Sequence, residues 1–281
     1  MILTAENLVL SYGDKPIVNG ASLTIPEGKV TGFLGPNGSG KSTIFRALSR
    51  LLKPDAGAVL IDGATIASMS TKAVARQLAI LPQQSAAPDS ISVEDLVWYG
   101  RHPYRHAFGS PSAEDRALVD WALEVTELGD LRTAHVDALS GGQRQRAWIA
   151  LALAQGTETL LLDEPTTFLD ISHQLEVLEL CVELNRTQGK TIVMVLHEIN
   201  QASEYCDHLV VIRKGEIFRQ GPPAEVLTQE LMKEVFAVDA QIIPHPLTRH
   251  PMCITSPRYA TKAGGSAAAG PDRVQVSASL A

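Results

Sequence analysis

The chain is poor in cysteine, poor in aromatics, without a basic surplus and without a long apolar run. Each shortage closes off a class of protein. Only three of its 281 residues are cysteine, Cys181, Cys206 and Cys253. None makes a C-x-x-C pair, so a disulfide framework and a structural zinc site are not expected, and idle thiols in a reducing compartment are the simpler reading. Aromatic residues are 5% of the chain, which leaves the core to aliphatic side chains. Lys and Arg number 24 against 31 Asp and Glu, a net charge of −7. That balance does not favour nucleic acid, whose phosphates call for a basic face. The longest unbroken apolar run, Ala147 to Ala154, falls well short of the roughly 20 residues that span a bilayer. The start, MILTAENLVL, has neither a basic leader nor a cleavage pattern. A soluble, cytosolic chain is expected, reaching a membrane only through a partner.

What is present suits a globular α/β protein. Apolar residues are 45% of the chain and charged residues 20%, close to the globular average. At about 150 residues per domain the length suits one large domain or two modest ones. Leu8, Leu10 and Tyr12 alternate with polar neighbours, and Ile17 to Ile25 follows a turn at Gly13 and Asp14, so the chain opens with strands. Val30 to Leu34 predicts a buried strand, and Lys41 to Leu52 a helix stopped by Pro54 and Gly57. Helical texture then dominates Val93 to Tyr99, Ala113 to Leu128 and Gly142 to Ala154. Apolar strands return at Thr159 to Leu162, Ile192 to Leu196 and Leu209 to Ile212, separated by helices over His173 to Arg186 and Ile199 to Tyr205. That alternation predicts a parallel sheet covered on both faces, with residues 91–155 as a helical insertion between core segments 1–90 and 156–260. Residues 261–281 are small and polar and are expected to be disordered.

The chemistry gathers in a few motifs. Gly35-Pro36-Asn37-Gly38-Ser39-Gly40-Lys41-Ser42-Thr43 fits G-x-x-x-x-G-K-[ST] between a strand and a helix, where bare backbone N–H groups and a helix start cradle polyphosphate. Lys41 is expected to neutralise the β- and γ-phosphates and Ser42 to coordinate Mg²⁺. Leu160-Leu161-Leu162 runs into Asp163 and Glu164, placing one carboxylate for a metal and the next as general base toward water. A further strand ends at His197, on the same predicted edge. Leu139-Ser140-Gly141-Gly142-Gln143 opens a helix with Ser140 as a candidate N-cap, a second anion site. A single nucleotide cannot easily use both sites of one chain.

Together these residues resemble the ATP-binding subunit of ABC transporters, over most of residues 1 to 255. The resemblance implies a P-loop NTPase (RecA-like) core with an N-terminal antiparallel β subdomain and the inserted helical subdomain. It implies that Tyr12 stacks on adenine, that Gln83 links metal and water to the membrane partner, that Thr166 to Asp170 form the D-loop, and that His197 is the switch histidine. Glu198 follows His197 where Asp is usual, and Phe168 is a variation in the D-loop. It also implies ATP and Mg²⁺ as cofactors and a head-to-tail homodimer in which Ser140 to Gln143 of one copy close on the nucleotide of the other. The dimer would drive transmembrane permease subunits, and indirectly a substrate-binding protein, from the cytoplasmic face of the inner membrane.

Finer resemblance is to importers of iron–siderophore, haem and cobalamin. Gly100-Arg101-His102-Pro103-Tyr104 looks like the G-R-x-P segment of that group, and the stretches Ser140 to Ala150 and Asp163 to Gln174 are close to ferric-siderophore ATPases. The cargo never touches such a subunit, so haem or cobalamin stays an alternative. A nucleic-acid ABC ATPase would carry two cassettes or a long coiled coil; a P-loop kinase would lack the Leu139 to Gln143 motif; an exporter commonly fuses its membrane spans to the cassette. His245, His250 and Cys253 have no standard metal spacing and read as a surface loop among prolines. His102 and His106 read as partner contacts, and Glu94-Asp95 and Glu114-Asp115 as acidic groups at helix starts.

Overall fold

The computed structural model describes residues 1–83, 87–104 and 110–256. His106 and the expected disorder of residues 261–281 lie outside them. The first two strands, β1 (Leu3–Tyr12) and β2 (Lys15–Ile25), form the predicted hairpin, and β3 (Val30–Leu34) leads into α1 (Lys41–Leu48). Then come β4 (Ala56–Ile61), the short β5 (Ala64–Thr65), α2 (Thr71–Ala75) and β6 (Leu78–Leu81). A helical stretch follows, with α3 (Val93–Trp98), α4 (Ala113–Val125) and α5 (Gly141–Ala154). The chain returns through β7 (Thr159–Leu162), α6 (Ile171–Gln188), β8 (Thr191–Val195), α7 (Ile199–Tyr205), β9 (His208–Arg213) and β10 (Glu216–Gly221). It closes with α8 (Pro223–Val226), α9 (Gln229–Phe236) and a hairpin of β11 (Ala240–Pro244) and β12 (Pro251–Thr255).

One sheet is antiparallel, in the order β2-β1-β4-β5; the other has six strands in the order β10-β9-β3-β8-β7-β6. In the larger sheet β9, β3, β8, β7 and β6 are parallel, and β10 alone runs back along the edge. The expectation of a wholly parallel sheet is corrected at that edge. Lys214 and Gly215 both adopt positive φ, and so tight a turn can only return an antiparallel neighbour.

The uninterrupted apolar runs of the central strands follow from burial on two sides. Leu161, Val193, Val195, Val210 and Ile212 pack with Phe33, Leu8, Leu10, Ile44 and Phe45, on the side of the antiparallel sheet and α1. Their neighbours Leu160, Leu162, Ile192, Met194, Leu209 and Val211 pack with Val177, Leu178 and the helices α3 to α5. Neither face meets water, so the period of two that marks a half-exposed strand is absent.

Of the differences from the sequence reading, most shift an element's end by one or two residues, and three are larger. The helix expected over Lys41 to Leu52 ends at Leu48, because Arg50 turns to φ 60° and the N–H groups of Leu51 and Leu52 both fall back on Arg46 O, at 2.8 and 3.0 Å. The helix expected to reach Leu128 stops at Val125, where the Thr126 hydroxyl caps Ala122 O at 2.7 Å. The loop expected around His245 to Cys253 is the tip and second strand of the β11–β12 hairpin. Among the described residues no helix is long and apolar enough to cross a membrane.

Candidate nucleotide site

Parallel neighbours end together, and that brings four separate motifs to one edge. Leu81 pairs with Leu162, Leu162 with Met194, and Phe33 with Val195. Beyond these partners lie Gln83 after β6, Asp163 and Glu164 after β7, His197 after β8, and the Gly35 to Thr43 loop after β3. This carboxyl edge is where open α/β sheets hold ligands.

The loop is shaped by its glycines and by close backbone approach. Gly35 sits at φ 151°, and a methyl group there would stand 2.1 Å from Ile212 O. Only glycine fits. Gly38 and Gly40 also take positive φ, and Pro36 and Asn37 lead into the turn in which Ser39 N donates to Pro36 O at 3.1 Å. Gly40 caps α1 without a side chain, leaving the first N–H groups of that helix, at Lys41, Ser42 and Thr43, free of a side-chain cap. Lys41 is buried, and its Nζ donates to Gly35 O at 2.8 Å and Pro36 O at 3.1 Å. Burial holds this amine below its usual range, while Glu164 and Asp163 pull it upward.

Beside the loop the carboxylates divide. Asp163 is 3% exposed and its Oδ1 has no hydrogen-bond partner; burial first, and then Glu164, push its pKa up to about 6. The Ser39 hydroxyl is buried and unpartnered too. An orphaned acid of this kind fits a divalent cation, which would supply the missing positive charge. The Ser42 hydroxyl and the Gln83 amide oxygen are hard oxygen donors of the sort Mg²⁺ accepts, and with Asp163 would be its candidate ligands. Glu164 is instead fully held. Its Oε1 stands 2.8 Å from His197 Nε2, and its Oε2 accepts from Gln83 Nε2 at 2.7 Å and from the Thr167 hydroxyl at 3.0 Å. Its backbone is at φ 55°, an uncommon conformation that turns the side chain into this cluster. The Thr167 contact was not foreseen, although a hydroxyl three residues after an acid at a turn is a readable signal.

Tyr12 lies half-exposed at the end of β1, its hydroxyl accepting from Arg46 Nη1 at 3.1 Å. Arg46 was likewise not singled out. The Ser140 motif sits apart, at the start of α5. Gln143 N donates to Ser140 Oγ at 3.2 Å and Ser140 N to Gln143 Oε1 at 3.0 Å, a reciprocal capping box. An open hollow of 320 Å³ lies between this turn and the sheet edge, lined by Gly141, Gln145, Gln83, Glu164, Thr167 and Phe168. The expected D-loop residue Asp170 caps α6, its carboxyl held below the usual range first by the backbone N–H of His173.

Other singled-out residues have local roles. Ser92 and Ser112 cap α3 and α4 beside Asp95 and Asp115. Asp115 also binds the buried Arg101 at 2.7 Å, and the same guanidinium donates to Ala154 O and Gln155 O. His245 Nδ1 serves the hairpin turn, His250 Nδ1 lies 2.9 Å from Ser203 O, and His102 is exposed. Cys253 is buried in β12, which corrects the surface-loop reading there.

Comparison with known proteins gives the family. A family model described as ABC transporter matches residues 18–167. The iron(3+)-hydroxamate import ATP-binding protein FhuC of Bacillus subtilis is 48% identical, over 90% of this chain and 94% of its own. The ferric enterobactin transport ATP-binding protein FepC of Escherichia coli is 44% identical, over 94% of this chain and 97% of its own. Among solved structures, a dimeric bacterial ABC transporter cassette superposes with a TM-score of 0.69 at 29% identity, covering 78% of this chain and 98% of that one. A phosphate loop joined to a carboxylate-tipped strand, matched by relatives over nearly the whole length, leaves one conclusion: the chain belongs to the ABC transporter family, as an ATP-binding, ATP-hydrolysing subunit.

Proposed function

We propose that this subunit energises import of an iron(III)–siderophore complex across the cytoplasmic membrane, held at its cytoplasmic face by permease subunits. The names of the full-length relatives support the cargo class, iron–hydroxamate and ferric enterobactin alike. The helical residues 91–155 would meet the permease and the remainder of 1–260 the nucleotide.

The observation that carries the catalytic reading is the Glu164 cluster beside an orphaned Asp163 and a buried Lys41. Tyr12 would stack on adenine, the Gly35 to Gly40 amides and Lys41 would hold the phosphates, and Ser42, Asp163 and Gln83 would hold Mg²⁺. The ion would screen phosphate charge as the γ-phosphate leaves. Glu164 would then accept the proton of the attacking water, with His197 positioned to contact the γ-phosphate and Gln83 and Thr167 to orient the base. Because the Ser140 turn and the phosphate loop are separate in one chain, two copies arranged head to tail would complete two sites. Phe168 (97% exposed), within the D-loop, and Ile171 (75% exposed), just after it, support a covering partner there. Hydrolysis would remove the bridging triphosphate and let the pair reopen.

The deciding variant is Glu164→Gln. Turnover should fall at least about a thousandfold, a loss of roughly 4 kcal/mol of transition-state stabilisation. ATP binding should persist, and light scattering with saturating MgATP should find a dimer. Turnover at the parental rate would remove Glu164 from the role of base. Uptake of labelled iron chelates, compared with haem and cobalamin, tests the cargo.

A further inference from the structure

The first turn of α6 carries a contact that the chemistry above does not use. The imidazole of His173 lies against Gly142, the second residue of α5. A methyl group on Gly142 would stand 2.3 Å from His173 Cδ2 and 2.6 Å from Cγ, so the ring occupies the space that glycine leaves open. The ring is held from its other side. His173 Nδ1 is 2.8 Å from Asp170 Oδ1, and that same oxygen accepts from His173 N at 3.0 Å and from the Ser172 hydroxyl at 2.9 Å. The backbone and hydroxyl contacts hold the Asp170 carboxylate, and the Nδ1 contact then orients a ring that is 31% exposed.

The neighbouring residue ties the same turn to the switch histidine's helix. Gln174 Nε2 donates to Leu169 O at 2.9 Å, and Gln201 Nε2 on α7 donates to Gln174 Oε1 at 2.8 Å. One helical turn therefore touches the D-loop, the amino terminus of α5 and the helix that follows His197. Packed elements of this kind move as units, because close-packed contacts do not deform continuously.

We propose that His173 is a positioning residue: clamped by Asp170, its ring sets the amino-terminal turn of α5 at the distance and angle needed to meet the triphosphate of a second copy. It acts through Ser140 to Gln143 and touches no nucleotide itself. The inference rests on the head-to-tail reading given above. It accounts for glycine at position 142 despite an ordinary helical backbone there, since a side chain would displace the His173 ring from its seat.

Two measurements test it, using His173→Ala and His173→Asn in a Glu164→Gln background. The asparagine amide can reproduce the Nδ1 donation to Asp170. His173→Ala should raise the MgATP concentration for half-maximal dimerisation about tenfold, while nucleotide binding to the monomer stays within twofold; His173→Asn should recover most of the loss. Hydrogen exchange over residues 141–146 of the nucleotide-free monomer should quicken about tenfold in His173→Ala and return toward the parental rate in His173→Asn. Should Glu164→Gln itself stay monomeric while exchange quickens as expected, the head-to-tail reading falls and the clamp stands. Unchanged exchange in His173→Ala overturns the clamp, as does equal damage from both substitutions with weakened nucleotide binding in the monomer.

Discussion

The phosphate loop and the first turn of α5 are both helix starts, yet they were built in opposite conditions. At α1 the cap is a bare glycine, the lysine is buried, and Asp163 Oδ1 and Ser39 Oγ lack partners. At α5 the cap is a reciprocal box in which Ser140 and Gln143 satisfy each other. The first is a pocket in which a buried acid and a buried hydroxyl stand unpaired, at a cost in stability. The second is a settled surface that needs nothing from its own chain. A preformed pocket suits primary binding of nucleotide, and a satisfied cap suits a later encounter with nucleotide already held elsewhere.

Substitutions at the two ends should differ in kind. Lys41→Ala should weaken ATP binding to the monomer about a hundredfold, near 2.7 kcal/mol, since charge-assisted bonds to phosphate are lost; titration calorimetry reads this directly. Affinity unchanged in Lys41→Ala would break the contrast at its root. A smaller and opposite effect is expected of Asp163→Asn on the empty protein. The carboxyl titrates near 6 instead of 3.8, so the native state holds its proton more tightly than the unfolded chain does. The buried charge therefore costs nothing below about pH 4, grows through the interval, and reaches full size above about pH 6. Asp163→Asn should stabilise the nucleotide-free protein by about 1–2 kcal/mol near pH 7 and hardly at all near pH 4, and should abolish stabilisation by MgATP. Thermal melts at the two pH values check the sign. The smallest change belongs to Ser140→Ala, which should cost about 1 kcal/mol of stability through the lost cap and leave ATP binding to the monomer intact. A fall in that affinity matching Lys41→Ala would erase the distinction between the two helix starts.

Much of this was legible because the central strands announce themselves. Thr159 to Leu162 is read to the residue, since a strand buried on both faces is apolar throughout, and its end places Asp163 and Glu164 without further information. The convergence of Gln83, Glu164, His197 and Lys41 then follows from parallel topology alone. What stayed hidden depends on single dihedrals or distant contacts. The Thr167 hydroxyl meets Glu164 at a turn where Glu164 adopts positive φ; the spacing hints at the contact, but the dihedral that accompanies it leaves no mark in the periodicity. The hairpin of β11 and β12 was obscured by its prolines: Pro244 and Pro251 pair at the turn end of the ladder, the last position of the pairing, so residues that argue for a loop stand in strands. The early end of α1 was masked in the same way, Pro54 being the visible stop and Arg50 the actual one.

The three cysteines lead somewhere practical. All are buried, and burial pushes the thiols of Cys181, to about 12, and of Cys206 and Cys253 upward, away from the thiolate form that alkylating reagents attack. The native thiols are thus expected to react slowly with maleimides while the chain is folded. A cysteine introduced in place of the protruding Phe168 would be an exposed thiol, and slower labelling by a maleimide when MgATP is present would report a partner covering that surface.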